Sequence, residues 1–354
     1  MRETGATWRL VRGADVVPEV DRDDGGGVIF RERDKEPVRQ SKRFDRYAHR
    51  SKLHSRDTLW NPAEIAGASR VNRVLLVASI GTIALYAVLL FALWRYQERI
   101  VFQPPSKAGP GAVDARKMWY TASDGVRLFA YVVGDCTTET VVVAFHGNAE
   151  LARWLVPWAR IVSRETGACV VLPEFRGYDG LDGPPTYAAS ALDAQAALGL
   201  VRHELTLSSS RTVYFGHSLG TAIAAELAAF EEPASLVLEA PFSSARAMGA
   251  RMIVPGVAAF WRIISRVHFD TVERVGRLSC PVWVSHGDRA LIIPVRMGRE
   301  VFAAARREGE LLIVEGAGHN DVADVGGSDY WRWLRAAIGV SETIRPTRDV
   351  PTGT

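Results

Sequence analysis

Three short stretches of this chain carry side chains able to do covalent chemistry together. Gly216-His217-Ser218-Leu219-Gly220 is a Gly-x-Ser-x-Gly pattern lying between the apolar run "RTVYF" and the alanine-rich "TAIAAELAAF". A serine hydroxyl attacks a carbonyl only when a base takes its proton and a sharp turn presents it. Glycines at 216 and 220 suit such a turn, because a side chain at either would strike the neighbouring strand or helix. Ala222 and Ala224 let the following helix pack closely. His319, in "VEGAGHND", is the candidate base, and its place late in the chain fits the order nucleophile, acid, histidine. The third stretch, "VVVAFHGNAE", ends an apolar run in a turn whose backbone N–H groups could accept a developing oxyanion. Asn148 is the candidate donor there, with the Leu219 N–H beside the nucleophile as the second. A glycine-rich turn and a loop histidine without chemistry are the plain alternatives, and the presence of all three parts weighs against them.

These residues need a frame that brings sequence-distant turns to one edge. From Met118 the chain supplies it. "MWYTASDGVRLFAYVVG" reads as two strands joined at Asp124-Gly125. Strand-like runs follow at 140–147, 168–175, 211–218, 235–242, 281–288 and 309–319. Helical stretches fall between them: "LARWLVPWARIVSRET", "SALDAQAALGLVRHEL", "GTAIAAELAAF" and "MGREVFAAARRE". Valine-rich strands alternating with helices imply a mostly parallel sheet covered on both faces, with ligands gathering at the strands' carboxyl ends. Residues 243–279 are longer than a simple crossover requires. They read either as a small cap, whose "MIVPGVAAFWRIISRV" lines an acyl pocket or faces a membrane, or as a crossover helix with an extra turn.

With "AFHGNAE", "EFRGYDG", "GHSLGTAIA", "LEAPFSS" and "EGAGHND" in place, and "RIVFQPP" after an N-terminal apolar segment, the chain resembles the α/β-hydrolase superfamily. Within it the likeness is to membrane-anchored Bem46 and ABHD13/ABHD17-type serine hydrolases, over roughly residues 96–338. The resemblance implies an α/β-hydrolase fold and an ester or acyl-thioester substrate. It implies Ser218 as nucleophile, His319 as general base, and Asn148 and Leu219 as the oxyanion hole. It also exposes a departure. The family pattern His-Gly-x-x-Asp-x-Ile-Val-Pro places its triad acid where "HGDRALIIP" (286–294) has Ala290. Three readings follow: Asp288 reaches His319 through a reshaped loop, Glu239 at the end of a neighbouring strand serves instead, or the site is a dyad. A tethered pseudohydrolase, acting as an acyl-chain-binding or scaffold protein, is the rival from outside enzymology.

The rest of the chain sets the context. "VLLVASIGTIALYAVLLFALW" (74–94) is uncharged and long enough to span a bilayer's roughly 30 Å apolar core. Arg70 and Arg73 precede it, and Trp94, Arg95 and Tyr96 close it as interfacial anchors do. The lipid bilayer is therefore an expected partner. Seven Lys/Arg against the single Asp45 between Arg39 and Arg56 favour a cytoplasmic N-terminus and an extracytoplasmic C-terminal domain, although Arg95, Arg99 and Lys107 weaken that bias. The expected organisation is a disordered basic arm (1–73), the transmembrane helix, a linker (95–117), the hydrolase domain (118–340) and a polar tail (341–354). A net charge of +3 is too small to argue for nucleic acid. Three scattered cysteines, Cys136, Cys169 and Cys280, are an odd count without paired spacing and read as small buried residues. No histidine cluster at ligand spacing is present, so no metal or other cofactor is expected.

Overall fold

A computed structural model of the chain describes residues 62–106, 113–205, 211–252 and 255–339. Eight strands form one sheet in the order β1-β2-β4-β3-β5-β6-β7-β8. The first two, β1 (Arg116–Thr121) and β2 (Arg127–Val133), are the antiparallel hairpin read at Asp124-Gly125. The parallel part comprises β3 (Val141–Phe145), β4 (Cys169–Pro173), β5 (Thr212–His217), β6 (Ser235–Glu239), β7 (Val282–Gly287) and β8 (Glu308–Val314).

Both faces of the sheet are buried, which is why its strands are continuously apolar rather than alternating. Val141, Val143 and Phe145 point into one core, while Val142 and Ala144 point into the other. Crossovers run through α2 (Val156–Thr166), α3 (Tyr187–His203), α4 (Leu219–Phe230) and α8 (Val295–Ala303). Between β6 and β7 the chain makes three helices, α5 (Ala245–Met252), α6 (Pro255–Ile264) and α7 (Thr271–Val275), so the excess length is a helical insertion. A helix the sequence pattern left unread, α9 (Val322–Ile338), follows His319 and buries Tyr330, Trp333 and Leu334.

The apolar helix α1 runs from Pro62 to Val101, well past both ends of the 74–94 stretch. Helical residues 62–73 thus lie in what reads as a disordered arm, while the rest of that arm and the tail from 340 fall outside the described residues. At the far end, the helix continues because its last turns dock on the domain. Gln97 is fully buried and accepts the backbone N–H groups of Arg266 and Val267 through Oε1. The Arg266 guanidinium donates to the Trp94 carbonyl and stacks over its ring at 4.5 Å. Phe102, just beyond, is buried against Phe269. Ser69–Val101 is long and apolar enough to cross a membrane.

The cysteine expectation is corrected. Cys136 and Cys169 form a disulfide, and Cys280 alone is free and buried. The sheet explains the pairing: β2 lies antiparallel to β4 with Val133 opposite Val170, which brings the turn after β2 beside the start of β4.

Candidate active site

The carboxyl ends of β3, β5, β6, β7 and β8 meet at one edge of the sheet, and the candidate residues gather there. Ser218 sits between β5 and α4 with φ 52° and ψ −115°, a conformation that non-glycine residues adopt at a cost. It is held by its own N–H donating to the Glu239 carbonyl at 3.0 Å and by Thr221 Oγ1 donating to its carbonyl at 2.6 Å. A Cβ on Gly216 would collide with the Gly220 backbone, and one on Gly220 with Phe145 and His146. Those two glycines allow β5, α4 and β3 to approach closely enough to force the turn. Leu219 is the first residue of α4, so its N–H has no partner within the helix and is left available to an anion.

His319 lies in the loop between β8 and α9, with Nε2 at 2.9 Å from Ser218 Oγ. That is the distance a base needs to take the hydroxyl proton. Its other ring nitrogen, Nδ1, is buried and has no hydrogen-bond partner among the described residues. Burial, together with the positive character of His217 and His286 nearby, lowers the His319 pKa to about 4.

Neither candidate acid is joined to that nitrogen. Asp288 is exposed, and its Oδ1 accepts the Gly316 N–H at 2.7 Å while its own N–H donates to the Val314 carbonyl at 3.2 Å. It ties the turn after β7 to the turn after β8. Glu239 is buried at the end of β6, and its Oε2 meets no partner among the described residues. Burial raises its pKa. Ala290 is 8% exposed, and it is followed by Leu291 and Ile292, which are 89% and 58% exposed.

Asn148 sits in the turn after β3, and both ends of its side-chain amide are held. Nδ2 donates to the Val101 carbonyl at 2.7 Å, and Oδ1 accepts from the Gln103 N–H at 2.9 Å and the Tyr178 hydroxyl at 3.0 Å. The side chain thus fixes the turn after β3 to the end of α1, leaving the main chain as the part that could contact substrate.

Two histidine–glutamate pairs inside the quoted motifs went unremarked in the sequence. Glu150, three residues after Gly147, folds back through Ala149 (φ 54°) so that Oε2 accepts the Gly147 N–H at 2.7 Å. The same oxygen meets His217 Nδ1 at 3.2 Å. Burial alone would lower the His217 pKa, but the hydrogen bond and charge of Glu150 outweigh it and push it up to about 9. Burial would likewise raise Glu150, and His217 with the Gly147 N–H instead brings it down to about 2. Deeper in the same turn, His146 Nε2 bonds Glu174 at 2.8 Å and Nδ1 bonds the Gly147 carbonyl at 2.8 Å. The only sequence signal for these pairs is the acid spaced four residues after His146 in "HGNAE".

A serine on a strained strand-to-helix turn, a late histidine at bonding distance and a parallel sheet behind them define an α/β hydrolase. A family profile described as alpha/beta hydrolase fold matches residues 140–264. An uncharacterized protein of Mycobacterium tuberculosis is 31% identical over 260 residues, covering 70% of this chain and 89% of that protein. Alpha/beta hydrolase domain-containing protein 17B of Xenopus laevis is 28% identical over 202 residues, covering 56% of this chain and 67% of that protein. Among solved structures, an esterase of Pyrococcus furiosus shares the fold with a TM-score of 0.52 at 19% identity, covering 67% of this chain and all of that one. The chain belongs to the α/β-hydrolase family.

Proposed function

We propose that this protein is a membrane-anchored serine hydrolase that cleaves carboxylic esters or acyl thioesters through an acyl-enzyme. The observation that carries the reading is the 2.9 Å contact between Ser218 Oγ and His319 Nε2 on a strained elbow. A binding module has no use for that strain. His319 takes the Ser218 proton as Oγ attacks the acyl carbonyl carbon. The oxyanion is received by the main-chain N–H groups of Leu219 and Asn148. His319 then protonates the departing alcohol or thiol, and a water activated by the same imidazole releases the acid. The working unit is a dyad. An acid on the imidazole is worth about 10⁴-fold in kcat in serine proteases, so this enzyme is expected to be slow but measurable.

The α6 insertion supports an apolar substrate drawn from a membrane. Phe260 and Ile263 are exposed one turn apart on α6, and Arg266, just after that helix, grips α1 at Trp94. Orientation follows two independent supports: the basic residues before α1, and the Cys136–Cys169 disulfide, which persists in an oxidising compartment. Both support a reading in which the hydrolase domain lies outside the cytoplasm, against the weaker bias of Arg95, Arg99 and Lys107.

The second reading, a pseudohydrolase, draws on the unpartnered His319 Nδ1 and on Ala290. One experiment separates the two. The full-length protein in detergent is treated with a fluorophosphonate probe beside Ser218→Ala. Labelling of wild type alone supports the hydrolase, and no labelling of a folded wild type leaves the binding protein.

A further inference from the structure

His217 is the residue before the nucleophile, and both nitrogens of its ring face groups that only accept hydrogen bonds. Nδ1 meets Glu150 Oε2 at 3.2 Å, and Nε2 meets the main-chain carbonyl of His319 at 3.3 Å. A ring satisfied on both sides by acceptors carries both hydrogens. Glu150 Oε2 also accepts the Gly147 N–H at 2.7 Å. The oxyanion turn, the nucleophile elbow and the base loop, which come from three different strands, therefore converge on one ion pair. Meanwhile the His319 ring receives no hydrogen bond at Nδ1. The ring is held by its Ser218 contact and by the His217 ring 5.4 Å away, and its backbone by the His217 hydrogen bond to the His319 carbonyl.

We propose that Glu150 and His217 are a positioning pair that aligns His319 with Ser218 through the His319 carbonyl, in a site where no carboxylate orients the ring itself. The proposal rests on the serine-hydrolase reading and names the residues that make a dyad workable there. It also has an electrostatic consequence. A triad acid orients the base and stabilises its imidazolium, whereas this pair does only the first, because the cation of His217 stands beside His319. The base is kept neutral and aligned, and the protonated form it must pass through is made more costly.

The groups facing His217 come from every neighbouring element. Glu150 follows β3, Glu239 ends β6, His286 lies on β7 and His319 follows β8. His146 acts on Glu150 from the end of β3, and Asp324 of α9 acts on Glu239. Of these, Glu150 alone hydrogen-bonds the ring as a carboxylate. It is the group whose removal discharges the pair.

The test is steady-state hydrolysis of a p-nitrophenyl acyl ester by the full-length protein in detergent micelles, followed over about pH 4 to 9 in wild type, Glu150→Gln, Glu150→Asp and His217→Gln. Misplacing a catalytic group by about 1 Å costs on the order of 10²-fold, so Glu150→Gln should lose about 10- to 100-fold in kcat with KM nearly unchanged. Its acid limb in kcat/KM should also move upward from the wild-type value near 4, because the cation beside His319 is gone. Glu150→Asp should recover part of the rate and return the limb. His217→Gln keeps an N–H for the His319 carbonyl without the charge, so it should move the limb with the smaller loss of kcat. It also serves if Glu150→Gln does not fold. A fall in rate with an unmoved limb would reduce the pair to ordinary packing and overturn the proposal, as would wild-type kinetics in Glu150→Gln. A wild type that neither turns over nor labels at Ser218 would overturn the hydrolase reading instead.

Discussion

His319 reaches Ser218 with one ring nitrogen at 2.9 Å and, with the other, hydrogen-bonds to none of the described residues. For the base proposed above, taking a proton and being stabilised once it has done so are separate tasks. The geometry suits the first and offers no carboxylate for the second.

Ala290→Asp restores a carboxylate at the position the family pattern reserves for the acid. The expected result is a rise in kcat bounded by about 10⁴-fold, the cost of losing the acid in serine proteases. Asp288→Asn is the matched control. Its Oδ1 accepts a backbone N–H rather than facing the base, so it should leave kcat within a few-fold and lower thermal stability by about 1 kcal/mol. Esterase assays beside thermal melts of both variants check the pair.

The pH dependence of activity should be unusual for a histidine base. With the His319 pKa at about 4, the neutral imidazole persists far below the ordinary 6.5, and kcat/KM should stay level from neutrality down to mildly acidic buffers. Below that value the rate should fall tenfold per unit. A pH–rate profile with a limb near 6.5 would contradict the burial and charge assigned to this site.

Stability should carry the opposite signature from the neighbouring pair. The His217 pKa is raised from 6.5 to about 9, so its contribution is complete below 6.5 and lost as pH rises through 9. The Glu150 pKa is lowered from 4.5 to about 2, so its contribution is complete above 4.5 and lost as pH falls toward 2. The difference in melting temperature between wild type and Glu150→Gln should therefore be largest between 4.5 and 6.5 and shrink on the alkaline side.

Cys136→Ser opens a loop closed across 33 residues of sequence, and chain entropy sets the expected loss at about 3 to 4 kcal/mol. Denaturant melts of the variant, and of wild type with and without reductant, measure it. Trapping of free thiols in intact cells reports the oxidation state, and with it the side of the membrane on which the domain lies.

Much of the architecture was legible because its signals are local. Continuous valine runs announced strands buried on both faces, and Gly216 and Gly220 announced the close approach that makes the elbow. Ser218 and His319 could be named because each sits in a motif with its own geometric reason. What was not legible depends on contacts between distant segments. Glu150 and His217 are 67 positions apart, and only the parallel pairing of β3 with β5 brings them together. The Cys136–Cys169 bond depends in the same way on the antiparallel seat of β2 beside β4. Counting cysteines carried no trace of it. The continuation of α1 past Trp94 was hidden for a related reason: its last turns are polar, and they stay helical because Gln97 is satisfied by the loop after α6.

That continuation bears on how the protein is handled at the bench. The Val101 carbonyl and the Gln103 N–H are the two main-chain groups that clamp the Asn148 side chain. A soluble fragment begun after the apolar helix, the usual route to an assay, would delete one jaw of that clamp and free the other. Such a fragment is expected to fold around its sheet and yet turn over poorly, through a slack oxyanion turn. The end of the apolar helix thus supports the turn that the proposed chemistry needs, and a fragment without it should be compared with the longer protein before its activity is interpreted.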